Sequence, residues 1–167
     1  ILMERASKDL HYEEAAKHRD RLIAIKSFTK RQRKIVNDFN NYDIIHVSSK
    51  EKYGIGLVMR VRNGLLIGRE KFEIKVIDRG LNKTLYAFLI QYYNNTLDIP
   101  EKVVINTILK NTKSIENWLS SKREGKVSII NPKIGDKKKM LQLCIRNADI
   151  ILKDMLIKKI KRTDYIP

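Results

Sequence analysis

The residues able to do chemistry are few and thinly spread along this chain. Its histidines, His11, His18 and His46, have no cysteine or further histidine at zinc-ligand spacing. Ser48, His46 and Cys144 hold the atoms of a nucleophile and a base, but only folding could join them, and no local spacing does. His46 alone, inside an apolar run, reads as a satisfied or exposed side chain. The "GIG" at 54–56 lies between strand-like runs and opens no helix, so it is not a phosphate-cradling loop. Basic residues dominate instead: 35 Lys and Arg face 19 Asp and Glu, a net charge of +16. A domain this basic ordinarily meets a polyanion, most often nucleic acid. A lysine-rich surface of purely compositional origin is the plain alternative. Residues 1–39 hold 10 bases and 6 acids, +4, and residues 40–167 hold 25 and 13, +12, so most of the excess lies in the later part.

The elements that would position these groups fall into two parts. Residues 12–36 carry Ala15, Leu22, Ile25 and Phe28 near one helical face, and "MERASKDL" before them reads as the end of another helix. Helices joined so tightly run antiparallel, and so short a hairpin cannot bury both its stripes alone. "NDFNNYD" breaks the pattern, which sets the expected boundary at residues 39 and 40. Beyond it "DIIHVS" reads as a strand, and "YGIGLVMRVRNGLLIGREKFEI" as a hairpin turning at Asn63-Gly64, the strongest short-range hairpin signal. A helix at "LNKTLYAFLIQYY", a strand at "EKVVIN", a helix at "SIENWLSSK", a strand at "GKVSII" and a long helix from "GDKKKMLQLC" complete the chain. The expected order is β-β-β-α-β-α-β-α, a mixed α+β and α/β arrangement behind a helical hairpin. Three strands in a meander followed by alternating helices and strands is the order of the RNase H fold.

With a two-residue turn at Asn63-Gly64, Arg62 would pair with Leu65 and Arg60 with Ile67. Alternation then puts Arg60, Arg62, Arg69 and Lys71 on one face, with Leu57, Met59, Val61, Leu66 and Phe72 on the other. Such a face could follow DNA phosphates without reading sequence. Lys137, Lys138 and Lys139, at a helix start where the dipole disfavours cations, are further candidates, as is "KKIKR" at 158–162. The single cysteine, Cys144, excludes an internal disulfide; in an apolar helical stretch it reads as a buried thiol, which fits a reducing cytoplasm. No apolar run approaches the roughly 20 residues that cross a bilayer, so no membrane role is expected. "ILMER" at the front and "RTDYIP" at the end both read as cut, an expectation of a piece of a longer protein.

The run "ASKDLHYEEAAKHRDRLIAIK", residues 6–26, resembles the UVR motif, a helical hairpin of the bacterial excinuclease proteins UvrB and UvrC. The matching positions are Leu10, Tyr12, Glu13, Ala15, Ala16, Arg19, Asp20 and Ile23. "VRNGLLIGREKFEI", "FLIQYY", "IP" before a strand, "NP" with "IG" at 131–135 and "RNA" at 146–148 resemble the middle of the UvrC family, in its order. The resemblance implies a nucleotide excision repair role and docking on the C-terminal hairpin of UvrB. Ala15 and Ala16 would let a partner backbone approach, while Arg19 and Asp20 would set register. It also implies an RNase H-like domain that spaces two nuclease domains and contacts double-stranded DNA.

Nucleases of the RNase H fold hold two divalent metals with several carboxylates, usually on the first strand, first helix, fourth strand and last helix. Here the first strand offers Asp43, the first helix no acid, the fourth strand Asn106, and the last helix Asp149 and Asp154, which read as surface residues. The expectation is a degenerate domain with no catalytic residue, no metal site and no cofactor. Two other readings stay open: a metal-dependent nuclease acting through Asp43, and a UVR-bearing adaptor outside repair, which would be expected to carry metal-binding cysteines.

Overall fold

The computed structural model describes residues 40–76 and 80–163, with Arg19 standing alone before them. The chain separates into two units, Ile1–Asn37 and Asp38–Pro167, and the strands and helices named here belong to the second. The docking positions expected in the first unit lie outside the described residues, except that Arg19 is helical and exposed.

The elements are β1 (Tyr42–Lys50), β2 (Tyr53–Arg62), β3 (Leu65–Lys75), α1 (Leu81–Asn94), β4 (Lys102–Val104), α2 (Thr112–Arg123), β5 (Ser128–Ile130) and α3 (Gly135–Thr163). Their order is the expected one. The sheet runs β3-β2-β1-β4-β5, with β1 to β3 an antiparallel meander and β4 and β5 parallel to β1. Asn63 at φ 51° and Gly64 at φ 73° form the β2–β3 turn, and both left-handed positions suit their residues.

Alternation along β1 divides the core between the two faces. Ile45 and Val47 pack with Val58, Leu85, Phe88, Leu89, Ile115 and Leu119, the face covered by α1 and α2. The other face lies under α3, which packs against β1 and β2. Cys144 is buried there with its sulfur 3.9 Å from the Ile44 carbonyl and 3.8 Å from that of Leu57, and burial pushes its thiol up to about 12. Close approach of α1 depends on Gly56, where a Cβ would stand 2.6 Å from the Phe88 ring. Lys122 of α2 donates to the carbonyls of Tyr93 and Asn94, closing the end of α1. Glu116 accepts from the Ile129 amide at 2.6 Å, so α2 also caps the backbone of edge strand β5. Among the described residues no helix is long and apolar enough to cross a membrane.

The expected four-base face on the hairpin does not exist. Arg62 pairs with Leu65 as foreseen, but Arg60 pairs with Gly68, because Ile67 is an extra residue in β3 opposite the Arg60/Val61 step. A one-residue bulge sends every later side chain to the opposite face. Arg69 therefore sits across from Met59 and Lys71 across from Leu57, on the α3 side, while Phe72 crosses to the α1 side.

Candidate functional site

Two polar clusters sit on β1, on opposite faces of the sheet. The first is built around Asp43, which is completely buried. Arg62, at the end of β2, donates from Nη1 to its Oδ1 at 2.8 Å, and the Tyr93 hydroxyl of α1 donates to its Oδ2 at 2.8 Å. The same guanidinium donates to the carbonyl of Val61 at 2.9 Å and reaches the Asp98 carboxylate at 3.0 Å. Both carboxylate oxygens thus have charged or phenolic donors, which is what makes a buried acid tolerable. Burial pushes the Asp43 carboxyl up, and the Arg62 charge and its hydrogen bonds pull it part of the way back. Burial, together with the nearby Asp43 charge, holds the Tyr93 phenol well above its ordinary range. Arg62 is held above its usual value by Asp43 and Asp98, although burial acts against this. Arg60 lies beside this cluster, over Gly68, and pairs with Glu70 at 2.9 Å; a Cβ at position 68 would meet that guanidinium at 3.0 Å.

The second cluster faces α3. The Ser48 hydroxyl donates to Oδ1 of Asp149 at 2.6 Å, and His46 Nε2 stands 3.1 Å from the same hydroxyl. Since the Ser48 proton goes to Asp149, the Ser48 oxygen can accept from His46 Nε2, and Nδ1 is the ring atom left over. That Nδ1 is buried and has no hydrogen-bond partner among the described residues. His46 and Ser48 are buried, whereas Asp149 is exposed, so the line of three runs from solvent into the sheet. Burial lowers the imidazole pKa, against the influence of Asn106 and Asp149, which favour its charged form. Asn106 lies just beyond β4, and the parallel register of β4 with β1 brings it level with His46.

The positions at which RNase H nucleases keep metal ligands are thus filled in two incompatible ways. Asp43 lies on the α1 face, while Asp149 lies on the α3 face, so the sheet itself separates them. On the α3 face the first strand supplies His46 and Ser48, the fourth Asn106 and the last helix Asp149. These donors include a single carboxylate, and they do not fit a pair of divalent metals. Among the described residues no three His, Cys, Asp or Glu side chains cluster in a way that could hold a metal ion. Asp149 is on the surface, as its place on a basic helix suggested, but nothing local foretold its tie to Ser48, 101 residues earlier. Only the register of β1 against α3 could have shown it.

The basic candidates are mostly engaged within the fold. Arg60 and Arg62 meet internal acids, Arg69 donates to Asn147 at 3.3 Å, and Lys71 shares a cleft of about 450 Å³ with Glu73, Asp154 and Lys158. At the start of α3, Asp136 stands in the first turn, Lys139 lies 3.6 Å from it, and Lys137 is 5.2 Å from the centre of the Tyr42 ring. The acid and the ring explain how Lys139 and Lys137, two of the three lysines, are accommodated where the helix dipole opposes them. Of the later run, Lys159 sits over Tyr53 at 4.4 Å and pairs with Glu73 at 3.3 Å.

Comparison with known proteins matches residues 41–155 to the family described as UvrC Ribonuclease H-like domain, and residues 1–28 to the UvrB/uvrC motif. A UvrABC system protein C of Lachnospira eligens is 35% identical over 163 residues, covering 97% of this chain and 26% of that protein. Its counterpart in Clostridium novyi is 38% identical over 162 residues, 95% of this chain and 25% of its own length. The chain spans about a quarter of the length of the curated relatives it matches.

Proposed function

The chain belongs to the family of UvrC ribonuclease H-like domains, and from that premise we propose that it is a docking and spacing part of a nucleotide excision repair endonuclease. It does no cutting itself. The leading hairpin, through Leu10, Tyr12, Glu13, Ala15, Ala16, Arg19, Asp20 and Ile23, binds the matching C-terminal hairpin of UvrB. This rests on the UvrB/uvrC motif over residues 1–28. The RNase H-like domain then holds the nuclease domains of the longer protein apart. Its excess of positive charge draws it toward DNA phosphates without sequence preference.

One observation carries the non-catalytic reading: the only acid on β1 has both oxygens taken by Arg62 and Tyr93, on the sheet face away from Asp149. A carboxylate so engaged braces the fold. To ligate a metal it would have to give up a buried ion pair, which costs several kcal/mol, about 3–5 for loss of one partner. The test is incubation of the chain with damaged duplex DNA in Mg²⁺ or Mn²⁺. No cleavage above a chelated control is expected. Metal-dependent cleavage that disappears in Asp43→Asn would revive the nuclease reading and overturn this one.

A further inference from the structure

Among the described residues, helix α3 carries aliphatic side chains on its outer face that stay exposed. Its inner stripe, Met140, Leu141, Cys144, Ala148, Leu152 and Met155, is buried at the three- and four-residue spacing expected of a core-facing helix. Leu143, Ile150, Ile157 and Ile160 lie on the other side, between 39% and 62% exposed. Single exposed aliphatics are ordinary on a protein surface. These are not scattered, because Leu143, Ile150 and Ile157 recur every seventh residue and form one row. Lys139, Arg146 and Lys153 recur at the same period and are all exposed, so a cationic row runs beside the apolar one.

Seven-residue spacing on a helix drifts by about 20° per step, so these rows wind gently around α3 and match a partner helix crossing at a shallow angle. From Leu143 to Ile160 the face is about 25 Å long at 1.5 Å per residue, enough for several turns of contact. An aliphatic seam with a cationic row along one side is an arrangement that favours a helix carrying the opposite charges on that side. Of the acids along this stretch, Asp136 lies 3.6 Å from Lys139, Asp149 is turned toward Ser48, and Asp154 lines the cleft with Lys71 and Lys158. A second copy of this chain would set Arg146 and Lys153 against their own kind. Duplex DNA would meet the cations but offer nothing to cover Ile150 and Ile157.

We propose that the outer face of α3 is a docking site for an acidic amphipathic helix of another polypeptide, with its aliphatic residues on Leu143, Ile150 and Ile157 and its carboxylates on Arg146 and Lys153. This goes beyond the UvrB contact, which belongs to the leading hairpin.

The test is anisotropy titration of the whole chain into a labelled amphipathic peptide with leucine at its seam and glutamate on its flanks. The same peptide with lysine on its flanks is the control. Saturable binding of the glutamate peptide alone is expected. It should weaken by about tenfold or more in Arg146→Glu and in Ile150→Lys. The second variant is decisive, because it adds positive charge while removing apolar contact. Both positions are exposed, so the melting temperature should hold and report that the variants are folded. Equal or tighter binding by Ile150→Lys would reduce the face to a general anion surface and overturn the proposal. So would displacement of the peptide by a short DNA duplex at matched charge, or no binding of the glutamate peptide at all.

Discussion

At one end of β1, Asp43 is sealed beneath α1 with a donor on each oxygen, and at the other, His46 and Ser48 lead out beneath α3 to the exposed carboxylate of Asp149. The two clusters share a strand and differ in what they leave available. Around Asp43 no oxygen is left without a donor, and every partner belongs to the sheet, α1 or the segment just after it. Around His46 a ring nitrogen is left over and the acid reaches water. The difference teaches that an acid at the expected place in a chain can be fully taken up by partners inside the fold. Which face of the sheet it occupies decides the matter, and that depends on parity along the strand.

Substitutions can break this contrast, and the largest effect should come from Arg62→Met. It removes the charge partner of a buried carboxylate, so a loss of about 3–5 kcal/mol in chemical denaturation is expected. Tyr93→Phe takes one hydrogen bond from the same carboxylate and should cost about 1.5–3 kcal/mol. On the α3 side, Ser48→Ala cuts the line between His46 and Asp149 with a smaller loss, about 1 kcal/mol, since Asp149 can turn to water. A near-equal loss for Tyr93→Phe and Ser48→Ala would erase the contrast between the closed and open clusters.

The smallest effect is a pH dependence. Burial holds His46 below its ordinary value of 6.5, so the unfolded chain takes up the proton first as pH falls. The stability that comes from keeping the imidazole neutral is therefore complete above about pH 6.5 and is lost as pH falls through that value toward the folded pKa. Melts at pH 7.5 and 5.5, compared with His46→Gln, should show a steeper loss on acidification in the unsubstituted chain. A parallel loss in both would mean that other groups carry it.

Element order and the Asn63-Gly64 turn were legible in the sequence because they depend on local signals: hydrophobic period and residues suited to positive φ. The faces of the β2–β3 hairpin were not. Ile67 carries no mark of a bulge, yet it moves Arg69 and Lys71 to the α3 side and dissolves an expected basic surface. Arg62 shows the same limit from another side. Its charge pointed outward to a polyanion, but a long side chain at a strand end can fold back on Asp43 and Asp98. The tie between Ser48 and Asp149 depends on how α3 lies across the sheet, which no local pattern encodes. The leading motif was legible in its residues, and residues 1–28 match the UvrB/uvrC motif in comparison with known proteins.

Whether the chain docks as proposed is tested most directly by calorimetric titration with a peptide of the UvrB C-terminal hairpin. Arg19→Ala and Asp20→Ala would be measured beside the unsubstituted chain. Saturable one-to-one binding, weakened by either substitution, is expected. No heat of binding up to high micromolar peptide, from a chain shown to be folded by its melt, would contradict the docking role.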